Sequence, residues 1–125
     1  MQLKNAIPRF RIFDENRSKE FYIDFLGFSV DWEHRFEEGL PVYMQISKDD
    51  CVLHLTGHHG DCCPGGAVWI ETESVEEYCK ELNDKKYKHS RPGTIKQEWG
   101  TTDMAIKDPF GNLLIFSQRA ENGDT

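Results

Sequence analysis

Along this chain apolar residues alternate with polar ones in some stretches and gather at helical spacing in others, and the switches mark out two similar series of elements. The first series opens with a strand-like run, Ala6–Phe13. A helix follows, with Asp14 or Asn16 as its N-cap and Gly27 just past its end. Phe21, Tyr22, Phe25 and Leu26 stand at i, i+1, i+4 and i+5, which collects four large side chains on one buried face. Three strands come next, Ser29–Phe36, Pro41–Ile46 and Cys51–Thr56, linked through Glu37-Glu38-Gly39 and Lys48-Asp49-Asp50. Residues 58–66 are rich in glycine and proline and read as a linker.

The second series repeats the order. Ala67–Glu71 reads as a strand, and Ser74-Val75-Glu76-Glu77 has the form of a capping box that opens a helix. Val75, Tyr78, Cys79 and Leu82, at i, i+3, i+4 and i+7, form its buried face. A weak strand is expected around Lys88–Arg91, then a loop through Pro92-Gly93. The last feature is a hairpin whose strands, Thr102–Lys107 and Leu113–Ser117, are joined by Asp108-Pro109-Phe110-Gly111-Asn112. Proline sets one φ of that turn, and Gly111 and Asn112 accept the positive φ it needs. Each half is therefore β-α-β-β-β, a repeat of element order rather than of residues. The expectation is one α+β domain: module one at about 6–57, linker about 58–66, module two about 67–118, and a polar tail over 119–125.

Composition narrows the function classes. A chain of 125 residues with 12% aromatics can build an ordinary core without staples. Lys+Arg 15 against Asp+Glu 22 leaves a net charge of −7, which disfavours nucleic acid and anionic membranes and favours a cationic ligand. No apolar stretch approaches the ~18 residues of a membrane span, and no signal-peptide pattern opens the chain. A cytoplasmic protein is expected, with Cys51, Cys62, Cys63 and Cys79 as reduced thiols. There is no CxxC, no zinc-type spacing, no Gly-x-Ser-x-Gly, no P-loop and no dinucleotide fingerprint.

Ala6-Ile7-Pro8, the run Glu20–Phe28, Ala67-Val68-Trp69-Ile70, Glu98-Trp99-Gly100 and Asp108-Pro109-Phe110-Gly111-Asn112 together resemble the bleomycin-resistance proteins of the glyoxalase, or vicinal-oxygen-chelate, superfamily. The resemblance spans Ala6 to Ser117 with its motifs in order, and Pro8 and Trp99-Gly100 point to the resistance-protein branch. It implies two tandem βαβββ modules that form a curved mixed sheet around a cleft, assembled as a homodimer with clefts shared between subunits.

The resemblance also frames the metal question. Metal-dependent members place His or Glu ligands on strands facing the cleft, and a divalent ion needs three or four such groups converging. The matching positions here are Ile7, His54, Ala67 and Ile115, so one of the four is ligand-capable. No metal and no cofactor are expected, with His54 the weak metal candidate. The neighbouring His58, His59, Asp61, Cys62 and Cys63 read as a solvated loop, or else as a soft-metal cluster.

Strand alternation puts Val52, His54 and Thr56 on one face, with Cys51 turned away from His54, which leaves no Cys–His nucleophile there. Ile7, Arg9, Arg11 and Phe13 share a face of the first strand, as Ala67, Trp69 and Glu71 do at the matching place. Trp69 and Trp99 could then stack a planar or cationic group. Phe36, Trp69 and Trp99 fall where the resistance proteins carry cleft aromatics; Ala67 replaces a tryptophan found in some of them. The plain alternatives are a His54 hydrogen-bonded in the wall, core or dimer packing for Trp32, Trp69 and Trp99, and ion pairing of Arg9 and Arg11 with Glu71 or other acids. The expected ligand-contacting set is Phe36, His54, Trp69, Trp99, Arg9 and Arg11. The expected function is non-catalytic binding and sequestration of a small molecule, a cationic bleomycin-type glycopeptide antibiotic being what the resemblance implies. The alternative is a metal-dependent glyoxalase- or dioxygenase-type enzyme with non-standard ligands.

Overall fold

The computed structural model describes residues 1–120; the end of the expected tail lies outside the described residues. The chain forms two compact units. The first is Met1–Gly66 with Pro109–Asn112; the second is Ala67–Asp108 with the chain from Leu113.

The first unit holds β1 (Arg9–Arg11), α1 (Glu15–Lys19), β2 (Ser29–His34), β3 (Tyr43–Lys48) and β4 (Cys51–Thr56), in the sheet order β1-β4-β3-β2. β1 runs parallel to β4, and the rest of the sheet is antiparallel. Met44 lies opposite Leu55 and Ile46 opposite Leu53, so the alternation predicted from sequence delivers all four to one buried face. Phe21, Tyr22, Phe25 and Leu26 are each no more than 2% exposed. Burying a side chain of this size contributes roughly 1.5–3 kcal/mol.

Asp14, the first of the two expected caps, accepts the Arg17 N–H at 3.0 Å. From Glu20 to Phe25 the helix widens to π-type turns, with Leu26 N donating to Phe21 O at 2.9 Å. Nothing in the apolar spacing announces this widening. Gly27 (φ +91°) ends the helix as expected.

The first unit also recruits the turn Pro109–Asn112 from far along the chain. Asn112 is fully buried, donating from Nδ2 to Arg11 O at 2.9 Å and accepting from Gly66 N at 3.0 Å through Oδ1. Gly111 takes the positive φ of that turn (+89°); Asn112 does not, its side chain being held by these bonds.

The second unit repeats the topology: β5 (Ala67–Glu71), α2 (Val75–Asp84), β6 (Ile95–Lys96), β7 (Thr101–Lys107) and β8 (Leu113–Arg119), in the order β5-β8-β7-β6 with β5 parallel to β8. Val75, Leu82, Met104, Ile106, Leu114 and Phe116 form its core. Tyr78 and Cys79 are half-buried, with the Tyr78 ring edge-on to Phe116 at 5.2 Å.

Six sequence readings are corrected. β1 is only Arg9–Arg11, paired with His54–Thr56 and ending where β4 ends at Thr56. β2 stops at His34 rather than Phe36, and β3 runs over Tyr43–Lys48 rather than 41–46, leaving Asp49-Asp50 as a tight two-residue turn with Asp49 at φ +53°. Lys88–Arg91 is not a strand; the pairing with β7 falls on Ile95–Lys96, opposite Asp103 and Thr102. The capping box does not close: Ser74 makes no side-chain cap, and Gln118 Oε1 accepts the Val75 N–H at 2.9 Å instead. Arg119, placed in the tail by its polarity, continues β8 opposite Thr101.

Candidate functional site

Each sheet has one face packed in its core and one open face. On β1 and β4, Arg9 lies opposite His54; on β5 and β8, Trp69 lies opposite Ile115. These are equivalent places in two copies of one topology, filled by a basic–polar pair in the first and an apolar pair in the second.

On the first sheet His54 is the centre of a hydrogen-bonded chain. Asp31 sits in a bulge of β2 and accepts from Ser47 Oγ at 2.9 Å and from Gln45 Nε2 at 3.0 Å. A carboxylate only accepts, so the Gln45 amide is oriented with Oε1 toward His54 Nε2, 3.0 Å away. His54 Nε2 therefore carries the proton, and Nδ1 accepts from the Tyr43 hydroxyl at 2.6 Å. Trp32 stacks on Tyr43 (centroids 6.0 Å, planes 9° apart) and stands edge-on to His54 at 5.4 Å. Burial first, and the Arg9 charge second, hold His54 below the usual imidazole pKa. The result is a neutral, doubly bonded imidazole.

That arrangement can be set against what a divalent ion would need. Ile7, Ala67 and Ile115 offer no donor atom, and the His54 lone pair is already taken by Tyr43. Among the described residues no three His, Cys, Asp or Glu side chains converge, and the His58-to-Cys63 loop is not a cluster of that kind. Instead Asp61 Oδ2 accepts from Thr56 Oγ1 at 2.7 Å, and His58 N bonds Thr56 Oγ1 at 3.1 Å. The residues do not fit a divalent ion. Burial also pushes the Cys51 and Cys62 thiols up, away from the reactive thiolate.

The other expected residues fall as follows. Trp69 (52% exposed) and Trp99 (70% exposed) are outside the core, and so is Trp32 at 44%, which removes the core-packing reading for all three within this chain. Phe36 is 75% exposed, edge-on to His34 at 4.9 Å and to His58 at 5.9 Å. Neither Arg9 nor Arg11 forms an ion pair among the described residues; Glu71 pairs with Arg119 at 3.7 Å instead, because β5 lies beside β8. Arg11 is buried, its guanidinium 4.4 Å from the Phe13 ring centroid. The sequence reading missed Tyr43, Gln45 and Asp31. Once the turn is placed at Asp49-Asp50, the register puts Tyr43, Gln45 and Ser47 on the His54 face, so the signal was there.

With this geometry in place, the chain can be set beside known proteins. Residues 1–123 match the family described as "Glyoxalase superfamily protein", and the chain belongs to that superfamily. It is 24% identical to the bleomycin resistance protein of Geobacillus stearothermophilus, over 94% of this chain and 98% of that one, and equally to that of Staphylococcus aureus. Among solved structures, a bleomycin-binding protein complexed with bleomycin superposes with a TM-score of 0.67 at 25% identity, covering 94% of this chain and 99% of that chain. A bleomycin resistance determinant encoded on transposon Tn5 superposes at 0.70, with 22% identity over 94% of this chain and 98% of that one. The superfamily and the fold expected from sequence are thus borne out, and the relatives are bleomycin resistance and binding proteins.

Proposed function

We propose that this protein binds a bleomycin-type antibiotic and protects by sequestering it, without turning it over. The observation that carries the reading is the likeness, across 94% of the chain, to a binding protein seen with bleomycin. The site residues support it: donor-free side chains at Ile7, Ala67 and Ile115 and an imidazole with both nitrogens engaged suit holding rather than catalysis. In the first unit the contacts are Phe36, His54 and Arg9; in the second they are Trp69 and Trp99, each exposed enough to stack a planar or cationic group. The net charge of −7 favours a cationic drug. A homodimer and a cytoplasmic site of action belong to the same proposal.

Titration with bleomycin, followed by tryptophan fluorescence, tests it. Saturable quenching at one drug per chain is expected; no quenching up to tens of micromolar would end the drug claim. Elemental analysis tests the non-catalytic half, since one equivalent of tightly held Ni, Zn, Fe or Mn per chain would restore the enzyme alternative. Sedimentation of the purified protein reads the dimer directly.

A further inference from the structure

Within the first unit, where β1 leads into α1, a hollow of about 350 Å³ opens against the loop that precedes β3. Its lining includes Arg11, Phe13, Arg35, Leu40 and Pro41. Arg11 is 9% exposed, and among the described residues its one hydrogen bond goes from Nη1 to the Ile12 carbonyl. No carboxylate among the described residues lies within ion-pair distance of it, which leaves a buried guanidinium balanced by a carbonyl and the face of Phe13. A buried charge in that condition is costly, and a counter-ion offsets the cost. The two acids lining the hollow are committed elsewhere: Asp14 accepts a helix N–H, and Glu15 is held by Arg35 and Lys19.

We propose that this hollow is a binding site for a small monocarboxylate with an apolar body. Its carboxylate meets the Arg11 guanidinium, which presents paired N–H donors in the spacing of two carboxylate oxygens. The apolar body rests on Phe13, Leu40 and Pro41, and a volume of about 350 Å³ limits it to metabolite size. Asp14 and Glu15 in the lining select a single negative charge over a dianion such as phosphate. The site is independent of the antibiotic reading and stands or falls without it.

The test is a titration of the isotope-labelled, full-length protein with 3-phenylpropionate, 3-phenylpropionamide and inorganic phosphate, read at the Arg11 Nε–H and at the Leu40 and Gly57 amides. Saturable shifts with the acid are expected, at least tenfold weaker binding of the amide, and no saturation with phosphate. Arg11→Gln should abolish the preference for acid over amide; if that variant does not fold, the acid–amide comparison in the wild-type protein decides alone. Silence of those signals up to about 10 mM acid, equal binding of acid and amide, or phosphate binding as tightly as the acid would each overturn the proposal.

Discussion

Asn112 is the side chain whose loss should cost this fold most for its size. It is fully exposure-free, and its amide satisfies two backbone groups at once: the buried Arg11 carbonyl at 2.9 Å and the part-buried Gly66 N–H at 3.0 Å. Asn112→Ala removes both partners and admits no obvious replacement for the deeper one. A buried group left unsatisfied costs about 1–3 kcal/mol, so the carbonyl and the less buried N–H together predict a loss of about 2–4 kcal/mol. Against a total stability of roughly 5–15 kcal/mol that is a large fraction. Urea unfolding should show the midpoint falling with the slope unchanged. Asn112→Asp sharpens the test. The new carboxyl can still accept from Gly66, but ionised it turns an oxygen against the Arg11 carbonyl. Burial and that carbonyl raise its folded-state pKa, so the folded state holds the proton more tightly than the unfolded one. The variant's stability should therefore be greatest below pH of about 4 and fall as pH rises through the ordinary carboxylate range and on to the raised value. A cost under about 1 kcal/mol for Asn112→Ala, or an Asn112→Asp variant that gains stability on going from pH 4 to pH 7, would refute the account.

Other outcomes are as direct. His54 is held below the usual imidazole pKa by burial and then by Arg9, so the unfolded chain takes up its proton first. Its contribution is complete above pH of about 6.5 and is lost as pH falls from there toward the lowered value; His54→Gln should flatten that part of the pH–stability curve. Glu15 is lowered chiefly by its bond to Arg35, so its support is present above the ordinary carboxylate pKa and fades as pH falls below it. With side chains about a third exposed, Glu15→Gln should cost no more than about 1 kcal/mol in urea melts, and less in high salt. Trp69→Ala and Trp99→Ala should leave the melting curve within about 0.5 kcal/mol of wild type, both side chains being exposed. Each should weaken bleomycin binding by about 0.5–2 kcal/mol if the stacking reading holds.

Most of the architecture was legible because the strands alternate cleanly. Cys51–Thr56 and Ala67–Glu71 fall on the residues the pattern marks, and the helix faces were legible as well. What sequence could not supply was tertiary choice. Lys88–Arg91 looks no less strand-like than Ile95–Lys96, and only pairing with β7 separates them. Ser74 has every local attribute of a cap, yet Gln118, 43 positions beyond Val75, takes the Val75 N–H. At the site, the family resemblance singled out His54 and Trp69, and alternation gave each its strand face, because period two survives small errors in strand ends. Tyr43 and Gln45 were not, since their importance lies in whom they bond and that required the hairpin register.

The equivalence of Arg9–His54 and Trp69–Ile115 has a consequence for how this chain can change. Each sheet completes its own hydrogen-bond ladder and buries its own apolar face, so neither ladder dictates which residue types fill the open-face pairs. Such a scaffold can drift on one face while holding the other constant, wet on one side of its history and dry on the other. Open-face residues can then be exchanged one half at a time while each sheet keeps its ladder and its buried face.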